Sequence, residues 1–220
     1  MKDGSEKQLL YSVDGAVPEG ALCALMGPSG SGKASSTLLD LLTGRRAVGR
    51  CEGEIYFEGK NIKSFILRSG YMRQDNTGFL DGLSVFDNLV YAAMLRMPGT
   101  LEAQVNRVET VIEETALVKT RHTKAGSLSG GQKRRLTLAL ELLADRRILF
   151  LDEPTSGLDA TASLDMLRIL KRLSRKVTMV VAIHQPRPEI WELFSHTILI
   201  KSGRAVFCGR ASQAISAVAR

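Results

Sequence analysis

The sequence predicts an α/β fold built on a parallel sheet, and two observations carry that prediction. Three short apolar runs, each closed by a residue type suited to chemistry, have the look of strands buried on both faces. Between and beyond them lie stretches with apolar residues at helical spacing. In open α/β sheets ligands bind beyond the carboxyl ends of the strands, so three such endings are expected to converge on one crevice.

The first run is ALCALM, residues 21–26, which leads into Gly27. The second is ILFL, residues 148–151, which leads into Asp152 and Glu153. The third is VTMVVAI, residues 177–183, which leads into His184. Residues 80–144 differ in character and read as a helical insertion between strands. Ser84 with Asp87 marks a helix start that runs to Arg96, and Pro98 breaks it. Leu101, Val105, Val108 and Ile112 predict a second helix, and Leu136, Leu140 and Leu143 a third. GEIYFEGKNI (53–62) and GRAVFCG (203–209) have strand composition bounded by glycine and suit a peripheral antiparallel sheet.

At 220 residues the chain suits one domain with a full hydrophobic core. It is 44% hydrophobic and 24% charged, which is ordinary for a globular protein. A net charge of +7 suits an anionic partner or a solvated basic face. Cys23, Cys51 and Cys208 are too scattered for a zinc site and read as reduced thiols of a cytosolic setting. The N-terminal residues show no apolar signal segment, and no apolar run approaches the roughly 18 residues that span a bilayer. Tyr11 is the only aromatic residue before Gly27 and reads as strand packing. Trp191 and Phe194 read as a helix packing face. His122 and His196 read as surface or satisfied histidines, and RHTK (121–124) and KRR (133–135) as solvated basic surface.

GPSGSGK, Gly27, Pro28, Ser29, Gly30, Ser31, Gly32 and Lys33, fits the pattern G-x-x-x-x-G-K. Its glycines let backbone N–H groups turn inward around phosphate oxygens, Lys33 reaches the terminal phosphates, and the next helix adds its positive end. In ILFLDEP, Asp152 is expected to hold Mg²⁺, mostly through water, and Glu153 to polarise an attacking water, since neighbours in an extended segment point different ways. LSGGQ offers Ser129, Gly130, Gly131 and Gln132 at the start of a helix, a second anion site about 100 residues from the first. One nucleotide needs both sites only if two copies face each other.

The phosphate loop, Gln74 in GYMRQD, LSGGQ, ILFLDEP, SGLD and His184 in IHQP occur in the order of an ABC-type ATPase, which the chain resembles over nearly its whole length. LLTGRR, MLRMP and HQPR further resemble subfamily G, the white and pleiotropic-drug-resistance type; Gln132 stands where that subfamily usually has Glu. The resemblance implies a P-loop NTPase fold, an ABC-type ATPase core with a peripheral antiparallel β-subdomain and a helical insertion subdomain. It implies a single nucleotide-binding domain over 1–220, its helical insertion at about 80–144, with no transmembrane domain in this chain. Gln74 would touch Mg²⁺ or the attacking water, and Ser129 and Gly131 would grip the terminal phosphate bound to the opposite copy. Asp159 would cross the dimer seam, and His184 would contact the terminal phosphate and hold Glu153 in line.

The function implied is ATP hydrolysis by a pair of such domains, homodimer or heterodimer, at the cytoplasmic face of a membrane. The pair would drive export of a lipid-like, sterol or xenobiotic substrate through membrane domains on another segment or subunit, with ATP and Mg²⁺ as ligands and no nucleic acid as partner. Two other readings compete with it. One is a soluble ATPase of this fold acting on nucleic acid or ribosomes; the other is a degenerate regulatory half. The second is motivated by Ala34, where such loops carry Ser or Thr. ST-LLDLL follows two residues late, which would turn the helix by about 200° and place Asp40 at a core leucine position. The expectation is therefore that Leu38, Leu39, Leu41 and Leu42 fix the helix register. Ala34 and Ser35 would then bulge near its start, with Ser36 as the Mg²⁺ ligand and Ser35 as the alternative.

Overall fold

The computed structural model describes residues 8–27, 32–45, 50, 52–62, 65, 69–75 and 78–218, with backbone alone at 32–36, 215 and 218. β1 (Leu22–Met26) leads toward α1 (Gly32–Leu42), and a hairpin of β2 (Ile55–Phe57) and β3 (Lys60–Ile62) precedes β4 (Ser69–Met72). The helical stretch then holds α2 (Val85–Arg96), α3 (Leu101–Glu114), two short 3₁₀ turns and α4 (Gly130–Leu142). The chain re-enters the sheet as β5 (Ile148–Asp152) and crosses through α5 (Ala160–Leu173) to β6 (Thr178–Ala182). It closes with α6 (Pro188–Trp191), β7 (His196–Lys201), β8 (Arg204–Arg210) and α7 (Ala211–Val218).

The six-stranded sheet has the order β4-β5-β6-β1-β7-β8, parallel throughout except at β7–β8. The three apolar runs are its adjacent central strands β5, β6 and β1, and their residues alternate between two cores as a pleated strand requires. Leu22, Ala24, Leu149, Leu151, Met179 and Val181 face the core shared with α2, α3, α4 and α5. Cys23, Leu25, Ile148, Phe150, Val180 and Ala182 face the other, with Leu39 of α1 and Phe65. The two glycine-bounded stretches are both antiparallel and peripheral, yet they do not share a sheet. Residues 53–62 contain the separate β2–β3 hairpin, whereas Gly203 sits in the β7–β8 turn and 204–209 fall within β8, which pairs with β7 on the edge of the main sheet.

Local chemistry sets the helix ends. Ser84 caps α2, its Oγ accepting from the Asp87 N–H at 3.0 Å, and Thr100 caps α3 by accepting from the Ala103 N–H. Such caps satisfy donors that the first helical turn leaves open and are worth about 1 kcal/mol each. Among the described residues no helix is long and apolar enough to cross a membrane.

α1 corrects one expectation. It is a single α-helix from Gly32, so Ala34 and Ser35 are helical residues and not a bulge. A continued helix adds one hydrogen bond per residue, and the carboxylate penalty that a bulge would relieve does not arise. Asp40 is only partly buried and lies 3.5 Å from the Tyr71 hydroxyl. Leu39 is fully buried and Leu38 and Leu42 pack beside it, while Leu41 stays partly exposed.

Candidate functional site

The carboxyl ends of β5, β6 and β1 lie side by side. Asp152 is opposite Ala182, which is opposite Leu25. The ladder continues past the strands: the Glu153 N–H donates to Ala182 at 3.0 Å and the Ile183 N–H to Leu25 at 3.1 Å. Gly27, Glu153 and His184 therefore leave neighbouring strands at one level, as expected. Two turns carry non-glycine residues in the left-handed region, Glu153 (φ +47°) and Gln185 (φ +41°). Each such residue costs about 1–3 kcal/mol and persists only where its surroundings hold it.

Glu153 is the hub. His184 Nε2 is 3.0 Å from its Oε1, and Gln74 Nε2 donates to its Oε2 at 2.9 Å and to Ser156 Oγ at 3.3 Å. Its neighbour Asp152 is held separately: the Tyr71 hydroxyl lies 3.3 Å from Asp152 Oδ2 and 3.5 Å from Asp40 Oδ1. Burial, then the charges of Asp152 and Asp40, push the Tyr71 phenol up, so it stays a neutral donor. The Arg45 guanidinium covers the same ring, 4.4 Å from its centroid.

A second cluster forms where α4 and α5 begin. Ser129 caps α4 in a reciprocal pair with Gln132: Ser129 Oγ accepts from the Gln132 N–H at 3.3 Å, and Gln132 Oε1 accepts from the Ser129 N–H at 2.9 Å. Asp159 caps α5, accepting from the Ala162 N–H at 2.8 Å. A Cβ on Gly131 would sit 3.3 Å from Ala162 Cβ, so the two helix starts nearly touch. Ser129, Gly130 and Asp159 are exposed. Pro28, Ser29, Gly30 and Ser31 lie outside the described residues, as do the side chains of Lys33, Ala34, Ser35 and Ser36.

Mg²⁺ is a hard cation that takes oxygen ligands, commonly one or two carboxylates completed by substrate phosphates and water. Among the described residues no group of three or more His, Cys, Asp or Glu forms a metal cage. One strand-end carboxylate, Asp152, at the carboxyl end of β5 fits the phosphate-completed kind of site.

The basic stretch KRR is not solvated throughout, because Arg134 is 1% exposed. Its guanidinium donates to Pro154 O at 3.1 Å, Arg73 O at 3.0 Å and Glu153 O at 2.6 Å. The signal was present in the sequence: Arg134 stands one and two turns before Leu138 and Leu142, on the buried face of α4. RHTK departs from expectation as well, since Arg121 pairs with Glu109 and covers the Phe86 ring at 4.8 Å. His122 is exposed and His196 Nδ1 meets Ser195 Oγ at 3.3 Å. Phe194 is buried and Trp191 packs on the same core, though Phe194 lies past the end of α6. Tyr11 is in no strand; its N–H donates to Gly203 O and Arg204 covers its ring at 5.2 Å.

A parallel sheet with a phosphate-loop helix after its central strand, a strand-end Asp-Glu pair and a second capped glycine helix start defines a nucleotide-dependent ATPase class. The family model described as ABC transporter matches residues 10–156, and the chain belongs to the ABC transporter family. It is 40% identical to ABC transporter G family member 12 of Dictyostelium discoideum over 93% of this chain and 34% of that protein. It is 38% identical to the broad substrate specificity ATP-binding cassette transporter ABCG2 of Bos taurus over 96% of this chain and 33% of that protein. The resemblance to subfamily G is thereby borne out. The chain spans about a third of the length of these relatives. A solved structure of cbiO1 from Clostridium perfringens, part of the ABC transporter complex cbiONQ, superposes with a TM-score of 0.84 at 23% identity, covering 94% of this chain and 84% of that one. That likeness supports the ABC-type ATPase fold.

Proposed function

We propose that the chain binds ATP with Mg²⁺ and hydrolyses it as one of two facing domains, and that closure of the pair drives export through membrane-spanning segments. The observation that carries this reading is the Glu153 carboxylate, clasped between His184 at 3.0 Å and Gln74 at 2.9 Å at the ends of adjacent strands. Phosphoryl transfer needs positioning and charge neutralisation more than covalent help. Glu153 accepts a hydrogen bond from the attacking water and aligns it with the terminal phosphate. His184 keeps that carboxylate turned inward and meets the terminal phosphate. Lys33 and the backbone of residues 27–32 hold the phosphates.

Asp152, the Gln74 amide oxygen and a hydroxyl of Ser36 or Ser35 would hold Mg²⁺, which would neutralise phosphate charge. Ser129, Gly130 and Gly131, with Gln132 fixing their cap, complete the site of the second copy, and Asp159 lies at the seam. The relatives named for transport and for broad substrate specificity support a transport role; a lipid-like, sterol or xenobiotic cargo and a position on the cytoplasmic face of a membrane complete the reading.

The test is ATP turnover and ATP binding measured side by side. Glu153→Gln is expected to lower kcat by about 10²–10⁴-fold while nucleotide binding persists. Turnover that survives the substitution would remove Glu153 from the mechanism. Wild-type binding without turnover would favour a regulatory domain.

A further inference from the structure

Arg134 is the most deeply buried cation among the described residues at the site, at 1% exposed. A guanidinium does not shed its proton in a protein, so burial must be answered by hydrogen bonds and charge. Desolvation pulls its pKa down, and Asp75, Asp152 and Glu153 pull it back up.

Its acceptors belong to two chain segments. Nε and Nη2 take successive carbonyls after β5, those of Pro154 and Glu153, while Nη1 takes the carbonyl of Arg73 after β4. The first segment carries the catalytic carboxylate in a left-handed backbone that a non-glycine residue rarely adopts. The second is the peptide joining Arg73 to Gln74, whose amide meets that carboxylate. One planar, rigid fork therefore fixes both backbones that approach each other as Gln74 and Glu153. The fork itself is carried on α4, whose start is the exposed cap Ser129 and Gly130 followed by the half-buried Gly131.

We propose that Arg134 is a positioning residue that locks the Gln74 and Glu153 backbones to α4, so that the aim of the Glu153 carboxylate depends on where the Ser129–Gly131 helix start sits. This rests on the reading of Glu153 as the group that aligns water. A contact of the helix start with a phosphate in the opposite copy would then reach the water-aligning carboxylate of its own chain through about one turn of helix. Lysine, a point charge on a flexible stem, cannot span three carbonyls in one plane.

The experiment compares the whole chain with Arg134→Lys and Arg134→Met. With MgATP, kcat is expected to fall about 100-fold in both while KM holds, as for a small misplacement of a reacting group. Amide exchange without nucleotide is expected to rise at 74–75 and 153–158 in both variants, with the α4 amides still protected. In Arg134→Ala, added guanidinium is expected to restore part of the lost turnover. Retained kcat in both variants, or exchange rising equally along α4, would overturn the proposal. If the wild type turns over no ATP, the ATPase reading fails on its own and the exchange result still decides whether Arg134 is the anchor.

Discussion

Tyr71 and Cys23 are two weak acids kept neutral by their surroundings. Burial, with Asp152 and Asp40, raises the Tyr71 phenol from its ordinary 10.0. Burial, with Cys208, pushes the Cys23 thiol from 9.0 up to about 12. For both, the folded state holds a proton that the unfolded state releases first. Their contribution is therefore complete below pH 9 and is lost as pH rises, for Cys23 between 9.0 and about 12. Chemical denaturation is expected to show unfolding free energy falling above pH 9, with a shallower fall in Tyr71→Phe and Cys23→Ala. The same slope in both variants would refute this account. Glu153 and His184 were legible as polar residues closing apolar strands, and their pairing was legible through the resemblance to ABC-type ATPases. Arg134 was passed over although its spacing to Leu138 and Leu142 carried the signal, because a run of cations reads as surface until the helix phase is applied to each of them. The meeting of Tyr71 with Asp40 was missed for a different reason: a contact of α1 with β4 is a tertiary fact with no local pattern.

At the scale of elements, the strands most readable in the sequence are those buried on both faces. β5, β6 and β1 are unbroken apolar runs because each face meets its own core. β4, reading SGYM, and β7, which opens on a histidine, lack that signature. The turn between β7 and β8 shows what a single backbone position can require. Gly203 has φ +76°, and a Cβ there would overlap Leu9 O and lie 2.9 Å from Tyr11 Cδ2. Gly203→Ala is expected to pry the 9–12 segment from the hairpin and to destabilise the fold by about 1–3 kcal/mol. Faster proteolysis near Tyr11 and a lowered melting temperature would register it; a wild-type melting curve would contradict the packing described. The leucines after Ser36 fixed the helix register as expected for Leu38, Leu39 and Leu42. The bulge did not follow, because Tyr71 and partial exposure give Asp40 a tolerable setting.

For the whole molecule, the order of strands was beyond the sequence, since every crossover joins residues far apart in the chain. Two glycine-framed strands looked like partners and belong to different sheets. The pairing of copies is the prediction that belongs at this scale. Glu153→Gln with ATP is expected to elute as a dimer, and wild-type turnover per chain is expected to climb with protein concentration. A monomer at constant specific activity would end the two-copy reading.

Among the described residues β4 is an edge strand of four residues with a single neighbour, whereas β5 lies inside the sheet between β4 and β6. Local opening is easiest where few neighbours hold the backbone. The glutamine side of the clasp thus leaves an edge strand and takes its second hold from the Arg134 fork, while the glutamate side is moored at mid-sheet. The sheet therefore braces the two halves of the grip unequally, and one guanidinium makes up the difference by holding both from behind.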